Sequence, residues 1–393
     1  MRRDYTYPCL NQRPEMNAST LAGELLTPDR AGAARAAALL AQGKLVVLPS
    51  ETVYGIAFDV TDEAARSRVR SLKRLSGPAG FVLHVGHPAE AERFVGDIST
   101  IGRRFMQKAW PGPVALSFVL NDAQAVALRN EFGAAAEDLL VDGTLTIRCP
   151  EHHLTQVALS DSRRPIAIIG AAPAGHAAVA EISALPEDFL RAVDGMMDDG
   201  PTKYRRASTL VRIDPPGATG PGYRVERAGV LDERIVHRMA ERLILFVCSG
   251  NTCRSPMAAA IASKSLADEF GIRSDELASK QIVVQSAGTH AAKGMRATRE
   301  AVEAVQAFGG DLSAHQSQPA TLDLLRRADV IYTMTESHRD ELLTAMPGVA
   351  KKTHRLDPDG DIDDPIGAGP AVYRAVATRL SELIKRRLHE MKS

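Results

Sequence analysis

Cysteine is scarce in this sequence. There are four in 393 residues, Cys9, Cys149, Cys248 and Cys253, and the last two lie within one short segment. That excludes a disulfide-built scaffold and points to a reducing compartment, so the expected location is the cytoplasm. A net charge of either sign is missing too: 48 Lys and Arg balance 48 Asp and Glu. No chain-wide electrostatic grip on nucleic acid is implied, although a local basic patch is compatible with the balance. No apolar run approaches the ~18–20 residues that span a bilayer, so no membrane association is expected. The opening segment, MRRDYTYPCLNQRPEMNAST, carries charge without an apolar stretch behind it and does not read as a secretory signal. Residues 1–27 are read as a flexible leader. What remains is ordinary globular composition, 45% hydrophobic and 24% charged, over a length that favours two domains.

Apolar patterning supports that division. Residues 28–42 are rich in Ala and Leu and read as a helix closed by Gly43, and Lys44 to Pro49 reads as a buried strand. A helix is expected at about 62–73. Apolar runs at 81–85, 114–120, 145–147 and 165–169 predict strands, with helical patterns between them. Together they predict a mixed α/β domain over 28–230. Residues 214–223, DPPGATGPGY, are a turn cluster before a strand-like 224–226. Residues 231–242 read as a charged, helical linker without a strong core stripe. The pattern then restarts with strand 243–247, helix 256–270, strand 281–285, helices 297–308 and 319–327, strand 329–333, helix 335–345 and a long helix 370–391. This alternation predicts a doubly wound parallel sheet over 243–393.

The strongest chemistry lies at the start of that second half, in Cys248-Ser249-Gly250-Asn251-Thr252-Cys253-Arg254-Ser255-Pro256. An apolar strand runs into a small polar loop, and Pro256 sits where a helix begins. Backbone N–H groups at a helix N-terminus make an anion site, and Arg254 adds a planar charged fork for phosphate oxygens. Cys248, at the base of this positive field, is expected to be acidified below the ~8.5 of a free thiol and to act as a nucleophile on a phosphoryl group. The leaving group then needs a proton. In the acidic stretch 359–365, Asp364 precedes Pro365, which favours an extended backbone. It is the candidate general acid, and later the base for water.

These residues resemble the low-molecular-weight protein tyrosine phosphatase family over about 243–391. The blocks that match are Cys248 to Ser255, Ser286-Ala287-Gly288-Thr289, Asp311 to His315, Asp329 to Met334, and Asp364-Pro365. The resemblance implies Cys248 as nucleophile, Arg254 as phosphate binder and Asp364 as acid. Ser249, Gly250, Asn251, Thr252, Cys253 and Ser255 complete the phosphate loop. It implies a phosphoprotein substrate and no cofactor. Thr252 stands where tyrosine-selective members carry a larger aliphatic residue and where bacterial protein-arginine phosphatases carry threonine, so both substrates stay open. Ile366 follows Asp364-Pro365, a place where aromatic residues often stack on a substrate ring. Cys253 can close a reversible disulfide with Cys248 or can simply be a buried packing residue. Arsenate reductases share this fold but need further cysteines downstream, and none follows Cys253.

The first half is subtler. Pro49-Ser50-Glu51-Thr52-Val53-Tyr54-Gly55 is a hydroxyl-rich turn after a buried strand, able to face a polar ligand or merely to cap itself. Lys73-Arg74, His84, Trp110-Pro111-Gly112-Pro113, Arg148, Ser208-Thr209 and Arg227 follow. Together these resemble the YrdC-like threonylcarbamoyl-AMP synthase family over about 30–230. The resemblance implies ATP with Mg²⁺, bicarbonate and L-threonine as substrates in a tRNA-modification pathway. It implies Thr52 and Arg148 at the threonine end and Lys73, Ser208 and Arg227 at the nucleotide phosphates, with Ser50, Tyr54, Arg74 and His84 in the same site. Two departures stand out. Active members carry Lys-x-Arg, whereas here Lys73-Arg74-Leu75-Ser76 occurs. Their Ser-Ala-Asn-x-Ser-Gly loop is replaced by Gly170-Ala171-Ala172-Pro173-Ala174-Gly175. The lost hydrogen bonds would weaken ATP by about 100-fold or more. Two readings follow for this half: a synthase, or a catalytically degraded nucleotide- or RNA-binding module that targets or regulates the phosphatase.

Overall fold

The computed structural model describes residues 23–172 and 178–391, and the chain forms two compact units divided between residues 240 and 241. The first is built on one mixed sheet of eleven strands: β1 (Glu24–Leu26), β2 (Val46–Leu48), β3 (Gly55–Asp59), β4 (Val82–His84), β5 (Val114–Val119), β6 (Leu140–Val141), β7 (Thr144–Arg148), β8 (Ile166–Gly170), β9 (Gly195–Met197), β10 (Thr209–Ile213) and β11 (Tyr223–Arg227). Their order is β1-β9-β2-β3-β8-β4-β7-β5-β10-β11, with β6 paired to β7. The central strands are covered on both faces, which is why their sequences read as continuous apolar runs. Alternate residues feed two cores: Val46, Leu48 and Ala57 enter one, Val47, Ile56 and Phe58 the other. The helix Arg30–Ala41 packs on the helix His153–Ser162 over the first of these. Asp29 caps it by accepting the Gly32 N–H at 2.8 Å.

Two segments differ from the sequence expectation. Glu24–Leu26, assigned to the leader, is strand β1 and pairs in parallel with β9; residues 1–22 lie outside the described residues. The expected linker contains the helix Glu233–Ala240, and it does have a core face: Val236 and Ala240 are fully buried in the first unit. Leu231 and Met239 pack against the same core, so the stripe lies among charges rather than being absent.

The second unit is a four-stranded, all-parallel sheet of β12 (Arg242–Cys248), β13 (Ile282–Gly288), β14 (Val330–Thr333) and β15 (Thr353–Arg355), in the order β13-β12-β14-β15. Along β12, Ile244, Phe246 and Cys248 join one core and Leu243, Leu245 and Val247 the other. Both faces are therefore filled, and the carboxyl ends of the strands are left to carry a site. The polar three-residue β15 carries no apolar signal, and the sequence reading lacks it.

Candidate active site

β12 ends on Cys248, and Arg254 opens the helix Arg254–Phe270, so 248–254 is a strand-to-helix turn at the carboxyl edge of the sheet. Asn251 bends it with φ 57°, a left-handed conformation that Asn tolerates better than most residues. This fully buried residue is braced from three directions. Its Nδ2 donates to Ser255 Oγ (2.9 Å) and Ser286 Oγ (2.8 Å). Its Oδ1 accepts the Gln318 N–H (2.9 Å), and its carbonyl accepts from His315 Nε2 (2.8 Å). The end of β13 presses on the same turn: Thr289 N–H donates to Cys248 O at 2.9 Å and His290 N–H to Ser249 O at 3.0 Å. A Cβ on Gly288 would stand 2.2 Å from Ser249 O, so this close approach requires glycine.

Cys248 is 3% exposed, with Sγ 3.0 Å from Ser255 Oγ. Arg254 is almost as buried. Its Nη1 donates to Ile362 O at 3.0 Å and its Nη2 to Asp364 Oδ2 at 2.5 Å. The Asp364 side chain is 41% exposed, and its other oxygen accepts the Ile366 N–H at 3.2 Å. Nucleophile candidate, guanidinium fork and carboxylate thus belong to one locality. Gly250 and the half-buried Thr252 complete the turn. Ser249 Oγ lies 2.7 Å from His338 Nε2, a contact that sequence reasoning missed. Burial, and then the nearby Arg254 charge, hold the His338 imidazole below its usual range. Cys253 turns its sulfur toward Tyr373 OH (3.3 Å) and Thr298 Oγ1 (3.7 Å). Burial, with the Cys253 contact next, pushes the Tyr373 phenol up to about 12. Cys149, Cys248 and Cys253 are all free.

The first unit holds a cavity of about 540 Å³. Ser50, Tyr54, Lys73, His84, Arg148, Ser208 and Arg227 line it. Thr52 and Arg74 do not. Thr52 is fully buried; its hydroxyl sits 2.9 Å from Ser50 Oγ and its carbonyl accepts from Thr202 Oγ1 at 2.8 Å. Arg74 is exposed, with φ 51°. These two expected site residues therefore lie outside the lining of this cavity. Ser50 donates to Val53 O at 2.6 Å, so its hydroxyl closes its own turn. Tyr54 OH donates to Gly200 O at 2.7 Å, and burial raises the Tyr54 pKa. His84 donates from Nδ1 to Val82 O at 2.9 Å, leaving Nε2 as an acceptor. Burial, and next Arg148, push its imidazole down to about 3. Arg148 makes a buried pair with Glu51 at 2.6 Å, and Glu51 also accepts the Glu151 N–H at 2.9 Å. Glu51 stood inside the hydroxyl-rich motif but received no role from sequence; only the fold reveals its partner. Lys73 Nζ donates to Gly170 O at 2.8 Å and to Ala172 O, and burial lowers its pKa. Residues 173–175 of the altered loop lie outside the described residues. Arg227 holds Ser208 O at 3.1 Å. Among the described residues no carboxylate lines the cavity. Among the described residues no cluster could hold a metal ion, and no helix is long and apolar enough to cross a membrane.

Comparison with known proteins divides the chain in the same way. Residues 243–393 match the family model described as low molecular weight phosphotyrosine protein phosphatase. Residues 38–227 match the Sua5/YciO/YrdC model, described as telomere recombination. A protein-arginine-phosphatase of Bacillus subtilis is 34% identical over 38% of this chain and 96% of its own length. A Mycobacterium leprae protein provisionally named as a threonylcarbamoyl-AMP synthase is 30% identical over 54% of this chain and 88% of its own. The threonylcarbamoyl-AMP synthase of Pyrococcus abyssi is 28% identical over 48% of this chain, which spans 53% of that relative's length. The chain is a fusion: its second unit belongs to the low-molecular-weight phosphatase family and its first to the Sua5/YrdC family.

Proposed function

We propose that the second unit is a metal-independent protein phosphatase that works through a cysteinyl-phosphate and prefers phosphoarginine. The observation that carries the reading is the strand-to-helix turn 248–254, which brings the Cys248 thiol to the start of a helix opened by Arg254, with Arg254 beside Asp364. The phosphoryl group enters the turn, where backbone N–H groups and Arg254 hold its oxygens. Cys248 Sγ attacks phosphorus and the bond to the leaving oxygen or nitrogen breaks. Asp364 passes its proton to that leaving atom. Asp364 then takes a proton from water as the water attacks phosphorus, the P–S bond breaks, and phosphate leaves. Two features favour arginine: Thr252 presents a half-buried hydroxyl, and the acid loop offers Ile366, 65% exposed, in place of an aromatic ring. The free thiols suit a reducing cytoplasm. The test compares phosphoarginine and phosphotyrosine peptides. Thr252→Ile is expected to shift the kcat/KM ratio toward phosphotyrosine, and an unchanged ratio rejects the substrate assignment.

For the first unit we propose threonylcarbamoyl-adenylate synthesis from ATP, bicarbonate and L-threonine. Among the described residues the cavity is lined by Lys73, Arg227 and Arg148, the last paired with Glu51 behind it, and by no carboxylate, which fits an anionic nucleotide. Lys73 and Arg227 would hold its phosphates, with Mg²⁺ arriving on them rather than on protein ligands. The Lys73 bonds to the Gly170 and Ala172 carbonyls must then be exchanged for phosphate. Incubation of the intact chain with ATP, Mg²⁺, bicarbonate and L-threonine is expected to release pyrophosphate only when threonine is present. Nucleotide or RNA binding without product would establish the binding-module alternative instead.

A further inference from the structure

The contact between Ser249 and His338 has no part in the chemistry above. His338 lies on the helix Glu336–Ala345 and is 5% exposed. Its Nε2 is 2.7 Å from Ser249 Oγ and its Nδ1 is 2.6 Å from Thr335 Oγ1. Thr335 caps that helix, and its Oγ1 accepts the His338 backbone N–H at 3.2 Å. Counting protons sets the direction of the chain. The Thr335 oxygen has accepted, and its own proton has one acceptor at hand, His338 Nδ1. A neutral imidazole that accepts at Nδ1 carries its hydrogen on Nε2 and donates it to Ser249 Oγ. The opposite tautomer would leave the half-buried Thr335 hydroxyl proton without an acceptor among the described residues, forfeiting a hydrogen bond. Burial and the Arg254 charge keep the ring neutral, in agreement. Ser249 Oγ has no other partner among the described residues. Having accepted from His338, it holds a proton to give, and it sits directly after Cys248 in the turn.

We propose that the Ser249 hydroxyl donates to the phosphoryl group seated in the turn, and that His338, fixed by Thr335, is the positioning residue that aims it. This rests on the reading of the turn as a phosphate site. The chain Thr335–His338–Ser249 supplies a side-chain donor beyond the backbone N–H groups and Arg254. Its removal weakens the grip on phosphate rather than the nucleophile.

The test uses the full-length protein, an aryl phosphate as substrate and inorganic phosphate as competitive inhibitor. Ser249→Ala is expected to raise the phosphate inhibition constant about tenfold, the size of one hydrogen bond to a charged group. Ser249→Thr, which keeps the hydroxyl, is expected to restore most of that. His338→Ala is expected to move the constant in the same direction. The double variant is expected to be no weaker than Ser249→Ala, because both remove one chain. Long-range proton–nitrogen spectra are expected to show His338 protonated on Nε2. A Ser249→Ala constant within twofold of wild type, additive losses, or an Nδ1-protonated ring would each overturn the proposal. If His338→Ala does not fold, the Ser249 pair and the spectrum decide. Failure of the underlying reading looks different: no aryl phosphate turnover by the wild-type protein, or turnover that survives Cys248→Ser.

Discussion

Two buried cysteines in one turn have different hydroxyl partners. Cys248 Sγ faces Ser255 in the phosphate turn, whereas Cys253 is packed against Tyr373 and Thr298. Cys248→Ser is therefore expected to abolish turnover and the trapped phosphoenzyme, read by rapid acid quench with labelled substrate. Asp364 gives a second test at this scale. A general acid contributes about 10²–10⁴-fold, and most where the leaving group is poor. Asp364→Asn should slow hydrolysis of an alkyl phosphate far more than that of a nitrophenyl ester, and equal losses would remove the acid role. His84 offers a pH test. Its folded-state value of about 3 lies below the 6.5 of the free side chain. The unfolded chain therefore binds more protons between those limits, and stability falls as pH drops from 6.5 toward 3. Between pH 7.5 and 5 this amounts to about 1–2 kcal/mol at most, since each pH unit below 6.5 carries about 1.4 kcal/mol. Urea unfolding at the two pH values measures it, and His84→Gln is expected to flatten the dependence. Cys248, Arg254 and Asp364 were legible in sequence because each belongs to a compact motif. Glu51 and His338 were not: their partners, Arg148 and Ser249, stand 97 and 89 positions away.

The phosphate turn shows the same division among elements. Its own residues are contiguous, so the strand, the small polar loop and the helix start could be read in order. Its braces come from elsewhere: Ser286 and Gly288 from β13, and His315 and Gln318 from the segment beyond the helix Arg299–Gln306. The motif blocks containing Ser286 and His315 were visible, but nothing in a linear pattern says that they converge on Asn251. Gly288→Ala tests the convergence. The added methyl meets a backbone oxygen that cannot swing aside, so the turn must shift. Overpacking of this kind costs about 1–3 kcal/mol. The expected result is a lower melting temperature together with a higher phosphate inhibition constant. A variant that melts earlier but binds phosphate normally would show that the strain relaxes away from the turn. Short polar strands such as β15 escape sequence reading for a simpler reason: three residues give no period to detect.

The described residues form two units, each with its own pair of core clusters. Among the described residues, every core cluster draws its members from one side of the division at 240 and 241. Each unit buries its own apolar surface, which is the requirement for independent folding. Separate fragments 1–240 and 241–393 are expected to melt cooperatively, each near the temperature of a transition seen in the intact chain. A fragment that fails to fold would reveal stabilisation that the core clusters do not contain. This division was the easiest feature to see from sequence, because the apolar pattern restarts abruptly at Leu243. The helix Glu233–Ala240 does carry an apolar stripe, Val236, Met239 and Ala240 on one face with Leu231 just before it, but the charges that fill its other face lend the segment a linker-like composition.

Ser255 has a single hydroxyl proton, and two neighbours compete for it. Its Oγ lies 3.1 Å from the Ala287 carbonyl and 3.0 Å from Cys248 Sγ, while Asn251 donates to it from a third side. A neutral thiol can donate to Ser255 and leave the hydroxyl proton on Ala287. A sulfur anion needs that proton for itself, and the Ala287 carbonyl must then lose its side-chain donor. A carbonyl in the sheet next to β12 is thus wired to the charge of a sulfur in the turn. Isotope-edited infrared spectroscopy of Ala287 would follow the ionisation of the sulfur, and then its phosphorylation, without any label on the substrate.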